Sequence, residues 1–181
     1  METDRKMCLF AMDAMFEKFN SLKLDTTAIG LSKEDRDNFL CTPVGANIFG
    51  WDNGIHYCFI DGFGEIVFCV NPDTCCDYYV YPVARNFTDF LRLLLSLKTT
   101  NAMQQVILMD KEDFESFMND SDEIEYCSSE IVSNILHTIH EKLQIDPLDH
   151  AFEYMKKLQS EFPYDKIRFT DEFYDATGLE R

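Results

Sequence analysis

The chain is short of positive charge. Its 181 residues hold 16 Lys and Arg against 33 Asp and Glu, for a formal net charge of -17. Binding to a phosphate backbone relies on Lys and Arg to neutralise it, so this balance argues against nucleic acid as a partner. It argues equally against an anionic membrane surface. The sequence also lacks any apolar run approaching the roughly 18–20 residues that span a bilayer. The N-terminus, METDRKMCLFAMDAMFEKF, carries a basic pair, but Asp13 and Glu17 interrupt its apolar part and no small-residue cleavage site follows. It does not read as a signal peptide, and the expected location is cytoplasmic. The seven cysteines, Cys8, Cys41, Cys58, Cys69, Cys75, Cys76 and Cys127, are odd in number and irregular in spacing, with no CxxC pair. That is not a secreted disulfide framework. No internal repeat, low-complexity tract or linker divides the chain, so a single domain over residues 1–181 is expected.

Apolar content is ample. Hydrophobic residues make up 46% of the chain and aromatics 14%, which disordered chains do not have. The load is heaviest in residues 46–95, which read as antiparallel strands feeding one apolar helix. Asn53-Gly54, between Ile48-Phe49-Trp51 and Ile55-Tyr57-Phe59, predicts a hairpin with a type I′ turn, positive φ at both turn residues. Asp61-Gly62-Phe63-Gly64 supplies a second turn before a third strand, EIVFCV. Asn71-Pro72-Asp73-Thr74 makes the third connection. The fourth strand spans residues 78–83, and Pro82 places it at a sheet edge. IHYCFI and IVFCV are apolar on both faces, so both faces of the middle strands should be covered, by helices or by a partner. Asn86 should cap the next helix, whose stripe is Phe87, Phe90, Leu91, Leu94 and Leu97.

The flanks read as helical. Residues 7–22 carry Cys8, Met12, Met15, Phe19 and Leu22 at helical spacing. A short second helix is predicted from Ser32, with Asp35 completing a capping box, Phe39 and Leu40 facing the core, and Thr42-Pro43 ending it. After Thr99 a short helix or extended segment is expected through Val106-Ile107-Leu108, then an acidic helix from Asp110. A long helix should run over about residues 122–143 on Cys127, Ile131, Ile135, Ile139 and Leu143. Asp146-Pro147 reads as a cap and first helical residue of a last helix reaching about Phe162. Residues 166–170 read as a further short strand. The whole gives an α+β fold with a central antiparallel sheet of about four to six strands flanked by helices.

No residue set announces catalysis. His137 and His140 sit one turn apart beside Glu141, but HTIHE matches neither HExxH nor HxxEH, and no cysteine pair completes a zinc site. A small metal-dependent hydrolase built on these histidines and a cysteine is the remote alternative. Adjacent Cys75 and Cys76 read as loop residues. DSDEIE, residues 120–125, lacks the glycine and bidentate glutamate of a calcium loop. Gly62-Phe63-Gly64 lacks the third glycine of a dinucleotide motif, and GxSxG and P-loop motifs are absent. Tyr78, Tyr79 and Tyr81 read equally as interface anchors or as good strand formers. Asp110, Glu112, Asp113, Glu115, Asp120, Asp122, Glu123 and Glu125 crowd one segment against a single Lys111. They are the candidate contact surface for a basic protein partner. No cofactor is expected.

The Gly50-Trp51 turn, the hairpins around DGFGE and above all VYPVARNFTDFLRLLL resemble the SUKH superfamily, whose sheet ends in a strand followed by a helix of the form x-F-x-x-F-L. Here that is Asn86-Phe87-Thr88-Asp89-Phe90-Leu91. LSKEDRDNFL resembles the helix that precedes that sheet. The match covers about residues 30–97. Ile29-Gly30-Leu31-Ser32 replaces the usual LP, and the acidic segment after Thr100 has no counterpart. The resemblance implies a helix-flanked antiparallel sheet and a role without catalysis. Bacterial members are largely immunity proteins that bind and neutralise a toxin, often a nuclease, in the cytoplasm; others are interaction modules. A cognate basic toxin domain is therefore the expected partner, and a general interaction or scaffold module is the alternative.

Overall fold

The structure is a computed structural model, and it describes residues 14–34, 36–73 and 77–180. Among them the fold is α+β: one four-stranded antiparallel sheet and eight α-helices. The strands are β1 (Ala46–Asp52), β2 (Ile55–Ile60), β3 (Val67–Val70) and β4 (Val80–Ala84), paired in sequence order as a meander. β4 is an edge strand, as Pro82 requires: proline has no N–H for a further neighbour. The helices are α1 (Ala14–Ser21), α2 (Phe87–Leu97), α3 (Thr100–Leu108), α4 (Lys111–Met118), α5 (Ser121–Cys127), α6 (Glu130–Leu143), α7 (Ala151–Glu161) and α8 (Asp171–Thr177).

Both faces of the sheet are covered, and strand alternation sorts the two cores. Ile55 and Tyr57 of β2 join Val67 and Cys69 of β3 and the buried side of α2 in the larger core. Cys58 and Ile60 join Phe68 and Val70 in a second core closed by Cys41, Phe162, Ile167 and Phe173. Helices cover the first face. The second is covered mainly by irregular segments, with α8 contributing Phe173. α2 is the centre of the larger core. Phe87, Phe90, Leu91, Leu93, Leu94, Leu95 and Leu97 are all buried, and Asn86 Oδ1 accepts from Asp89 N at 2.8 Å, the cap that the sequence predicts. Burial of each such side chain contributes about 1.5–3 kcal/mol.

The hairpin forms where expected, with Asp52 opposite Ile55. Only Gly54 takes positive φ (+91°), however, so the turn is not type I′, which needs it at both turn residues. Four other expectations are corrected. First, no helix starts at Ser32. Its backbone N–H and C=O instead pair with Trp51 at the free edge of β1, each at 2.8 Å, which removes the groups a helix start would use. Asp35 lies outside the described residues, and Leu40 is exposed.

Second, the long helix is two. α5 ends at Cys127, and Ser128 and Ser129 cap the break. A row spaced by four residues rotates about 40° per step, so the stripe read from 127 to 143 cannot stay on one face. Ile131 is 59% exposed, and Val132 is buried in its stead. Third, the last long helix starts at Ala151 and not at Pro147. Arg92 Nε donates to Asp146 O (3.1 Å), Ser96 Oγ to Leu148 O (2.7 Å), and Leu148 N to Arg92 O (3.2 Å), which holds residues 146–148 against α2 as irregular chain. Fourth, residues 166–170 form no strand. A 3-10 turn at Tyr164–Lys166 leads to α8, which Thr170 caps by accepting from Phe173 N. The segment the sequence left open between helix and extended chain is α3, and the acidic helix from Asp110 is α4. Of the first predicted helix, residues 7–13, with Cys8 and Met12, lie outside the described residues.

One group in the second core is polar and unpartnered. His56 is fully buried, stacked on Phe39 (5.2 Å) and edge-on to Trp51 (4.8 Å), with no hydrogen bond to either ring nitrogen among the described residues. Burial pulls its pKa from the ordinary 6.5 down to about 4. The unfolded chain therefore binds a proton first as pH falls. Stability associated with neutral His56 is intact above pH 6.5 and is lost progressively toward pH 4, by about 3 kcal/mol at the limit. Urea unfolding of wild type and His56→Phe across this window should give a difference that grows as pH falls. Parallel curves would contradict the assignment.

Candidate functional site

The eight acidic residues singled out by charge lie on two consecutive short helices. Asp110 caps α4, accepting from Asp113 N at 3.0 Å. Asp120 caps α5, accepting from Asp122 N (2.9 Å) and Glu123 N (3.4 Å). Glu112 and Asp113 occupy the first turn of α4, and Asp122 and Glu123 that of α5, where a carboxylate faces the positive helix end. Six of the eight thus have a helix-end role; Glu115 instead lies one turn from Lys111, at 4.0 Å, and Glu125 has neither among the described residues. Seven are exposed, and Glu123 is half-buried. Lys111, the one cation of the segment, is drawn to Glu153 of α7, whose contact raises the lysine pKa and lowers that of the carboxylate. The α4–α5 face therefore presents a surplus of negative charge to solvent. Ile124 and Tyr126 of α5 and Ile131 at the start of α6 are exposed as well.

Beside α5 opens a cleft of about 640 Å³ that no local sequence signal marks. Its walls come from the turn at 27–30, the end of β1, the start of α3 and α5. At β1, Asp52 Oδ2 accepts from Thr100 Oγ1 (2.7 Å) and Gln104 Nε2 (2.9 Å). Thr100 Oγ1 also lies 2.9 Å from Gly30 O, so one hydroxyl proton serves two acceptors. Gly30 makes this approach feasible: at φ +77° a Cβ there would lie 1.9 Å from Thr100 Oγ1 and 2.8 Å from Asp52 Oδ2. Burial pushes the Asp52 carboxyl above the ordinary range, outweighing the two hydrogen bonds that pull it down. Tyr126 closes the α5 side, its hydroxyl donating to Ala28 O at 2.7 Å. Of the eight acidic candidates, Glu123 lines the cleft.

The histidines are placed apart from this site. His137 is exposed on α6, and His140 Nδ1 sits 2.7 Å from Ile145 O, where it closes the end of that helix. Among the described residues no three of His, Cys, Asp and Glu are grouped so as to hold a metal ion. Burial raises the thiols of Cys41 and Cys127 to about 11 each, away from the thiolate form a nucleophile needs. Cys75 and Cys76 lie outside the described residues. The tyrosines are engaged within the chain: Tyr78 stacks on Tyr164 at 3.9 Å, Tyr79 meets Phe173 edge-on, and Tyr81 accepts from Tyr78 N. Among the described residues no helix is long and apolar enough to cross a membrane. No protein-family model, curated protein or solved structure matches the chain.

Two substitutions test the cleft's construction. Gly30→Ala forces a side chain into Thr100 and Asp52 at positive φ, and should lower stability by about 2 kcal/mol or more. Asp52→Asn keeps an acceptor for Thr100 and Gln104 but removes a carboxylate whose pKa is raised on folding. Such a group opposes folding once ionised, so its effect appears as pH rises above the ordinary carboxylate range. The Asn variant should match or exceed the wild-type thermal midpoint at pH 7. A clear loss at pH 7, or a harmless alanine at position 30, would contradict this reading.

Proposed function

We propose that the chain is a non-catalytic protein-binding domain, acting as a SUKH-type immunity protein that neutralises a cognate bacterial toxin by stoichiometric binding in the cytoplasm. The observation that carries this reading is the α4–α5 face, where the eight carboxylates of residues 110–125 stand against Lys111, itself drawn off to Glu153. A nuclease toxin presents a basic cleft to its nucleic-acid substrate, and an acidic protein surface complements that cleft. Exposed Ile124 and Tyr126 add apolar area to α5, and Ile131 to the start of α6, which charge alone does not require. The strand-to-helix junction at Phe87 and Phe90 that motivates the family resemblance sits in the core, and the proposed contact surface lies outside it.

A second reading, a general interaction module without a toxin partner, draws on the helix-end roles of six of the eight carboxylates. Those roles give the acidic residues a reason to be present without any partner.

The test is to look for a toxin encoded by a neighbouring gene, to express the chain together with it, and to measure protection and binding. The expected result is a 1:1 complex and restored growth. Replacing Glu115 and Glu125, which cap neither helix, with lysine should slow association by about tenfold and flatten its salt dependence. A chain that neither binds nor protects would overturn the toxin reading. Association insensitive to both salt and these substitutions would overturn the acidic contact surface.

A further inference from the structure

We propose that the cleft between β1, α3 and α5 is a docking socket for an arginine side chain carried by the basic partner; this rests on the preceding reading that the partner is a basic protein. The cleft is lined by three carboxylates, Glu34, Asp52 and Glu123, and one cation, Arg36. Arg36 is already paired with Glu34 at 2.8 Å. Among the described residues, Asp52 and Glu123 have no cationic partner.

Asp52 is the group built for the role. Thr100 and Gln104 both bond its Oδ2 and fix the plane of the carboxylate, while Oδ1 has no partner among the described residues. A half-buried carboxylate held in one orientation, with one oxygen unengaged and no counter-cation among the described residues, can accept a further charged donor. Glu123 contributes a second carboxylate, with Oε1 touched by the Cys127 thiol at 3.4 Å. The aromatic wall is Tyr126. Its ring is 48% exposed and is anchored by its hydroxyl to Ala28 O, so it cannot swing away without breaking that bond.

The chemistry selects the occupant. A cleft walled by carboxylates and a fixed aromatic ring suits a planar guanidinium, which donates in its plane and stacks on its face; an ammonium lacks the planar face for stacking. A divalent metal ion is disfavoured because these carboxylates are not grouped as a ligand set. The surplus negative charge of α4 and α5 stands beside the entrance and would raise the local concentration of a cationic segment.

The probes are three blocked tripeptides, Gly-Arg-Gly, Gly-Lys-Gly and Gly-citrulline-Gly, titrated into the full chain and followed by calorimetry, since the Trp51 ring is buried against Phe39 and His56. The arginine peptide should give a saturable heat of binding, with the lysine peptide weaker and the neutral citrulline peptide inert. Asp52→Asn should weaken the arginine peptide by about tenfold with a thermal midpoint at or above that of wild type. Equal binding of arginine and citrulline peptides, equal binding of arginine and lysine, no response to arginine, or full binding by Asp52→Asn would each overturn the socket. The two levels separate cleanly. A toxin that still binds Asp52→Asn with full affinity removes the socket and leaves the immunity reading standing. An arginine peptide that binds while no basic partner does removes that reading and leaves the socket.

Discussion

The close backbone contact between residues 30–32 and β1 is the constraint from which the site follows. Gly50 offers no side chain where Leu31 lies; a Cβ there would meet Leu31 Cδ1 at 2.2 Å. Ser32 pairs with Trp51, and Gly30 leaves room for the Thr100 hydroxyl to reach Asp52. Three segments far apart in the chain thus meet on backbone contacts that no larger residue would allow. Beyond them, Thr26 Oγ1 donates to Leu31 O at 2.5 Å, and Tyr57 OH to Thr100 O at 3.3 Å from beneath. The knot is polar and mostly buried, so each group in it has a partner to lose if the segment shifts. It also sets the spacing of β1 and α3, and so the width of the cleft between them.

Charge is handled differently at the two ends of the site. On α4 and α5 the carboxylates are solvated and lie where helix N-termini favour them, so a large negative surface is tolerated locally. Asp52 is half-buried, and its desolvation raises the carboxyl pKa, a preference that opposes the charge. A cation arriving from a partner would reverse that preference. The exposed face suits long-range attraction, and the cleft suits a short-range contact.

What could be read in the sequence is what depends on neighbouring residues. The hairpin at Asn53-Gly54, the Asn86 cap, the stripe of α2, the edge position of β4 and the covering of both sheet faces all follow from spacing or local chemistry. What escaped reading depends on tertiary partners. Ser32 has the chemistry of a helix cap, but the edge of β1 claims its backbone. Asp146-Pro147 has the form of a helix start, but α2 holds it as irregular chain. The cleft escaped for the same reason, since its contacts join residues 48, 52 and 70 positions apart, and Asp52 reads simply as the residue before a turn. The acidic helices were visible as a charge run, and of that run only Glu123 also lines the cleft. Among the described residues, Cys41, Cys58 and Cys69 are buried, and His140 closes the end of α6 while His137 is exposed on it.

The central claim is that the α4–α5 face and the adjoining cleft form one contact surface for a basic protein. The most direct measurement is hydrogen–deuterium exchange on the chain alone and with the proposed basic partner added. The account predicts new protection in residues 99–104 and 120–126, with residues 162–174 unchanged on the opposite side of the sheet. Protection confined to residues 162–174 or to the tyrosines of β4, with the acidic helices exchanging as in the free chain, would contradict it.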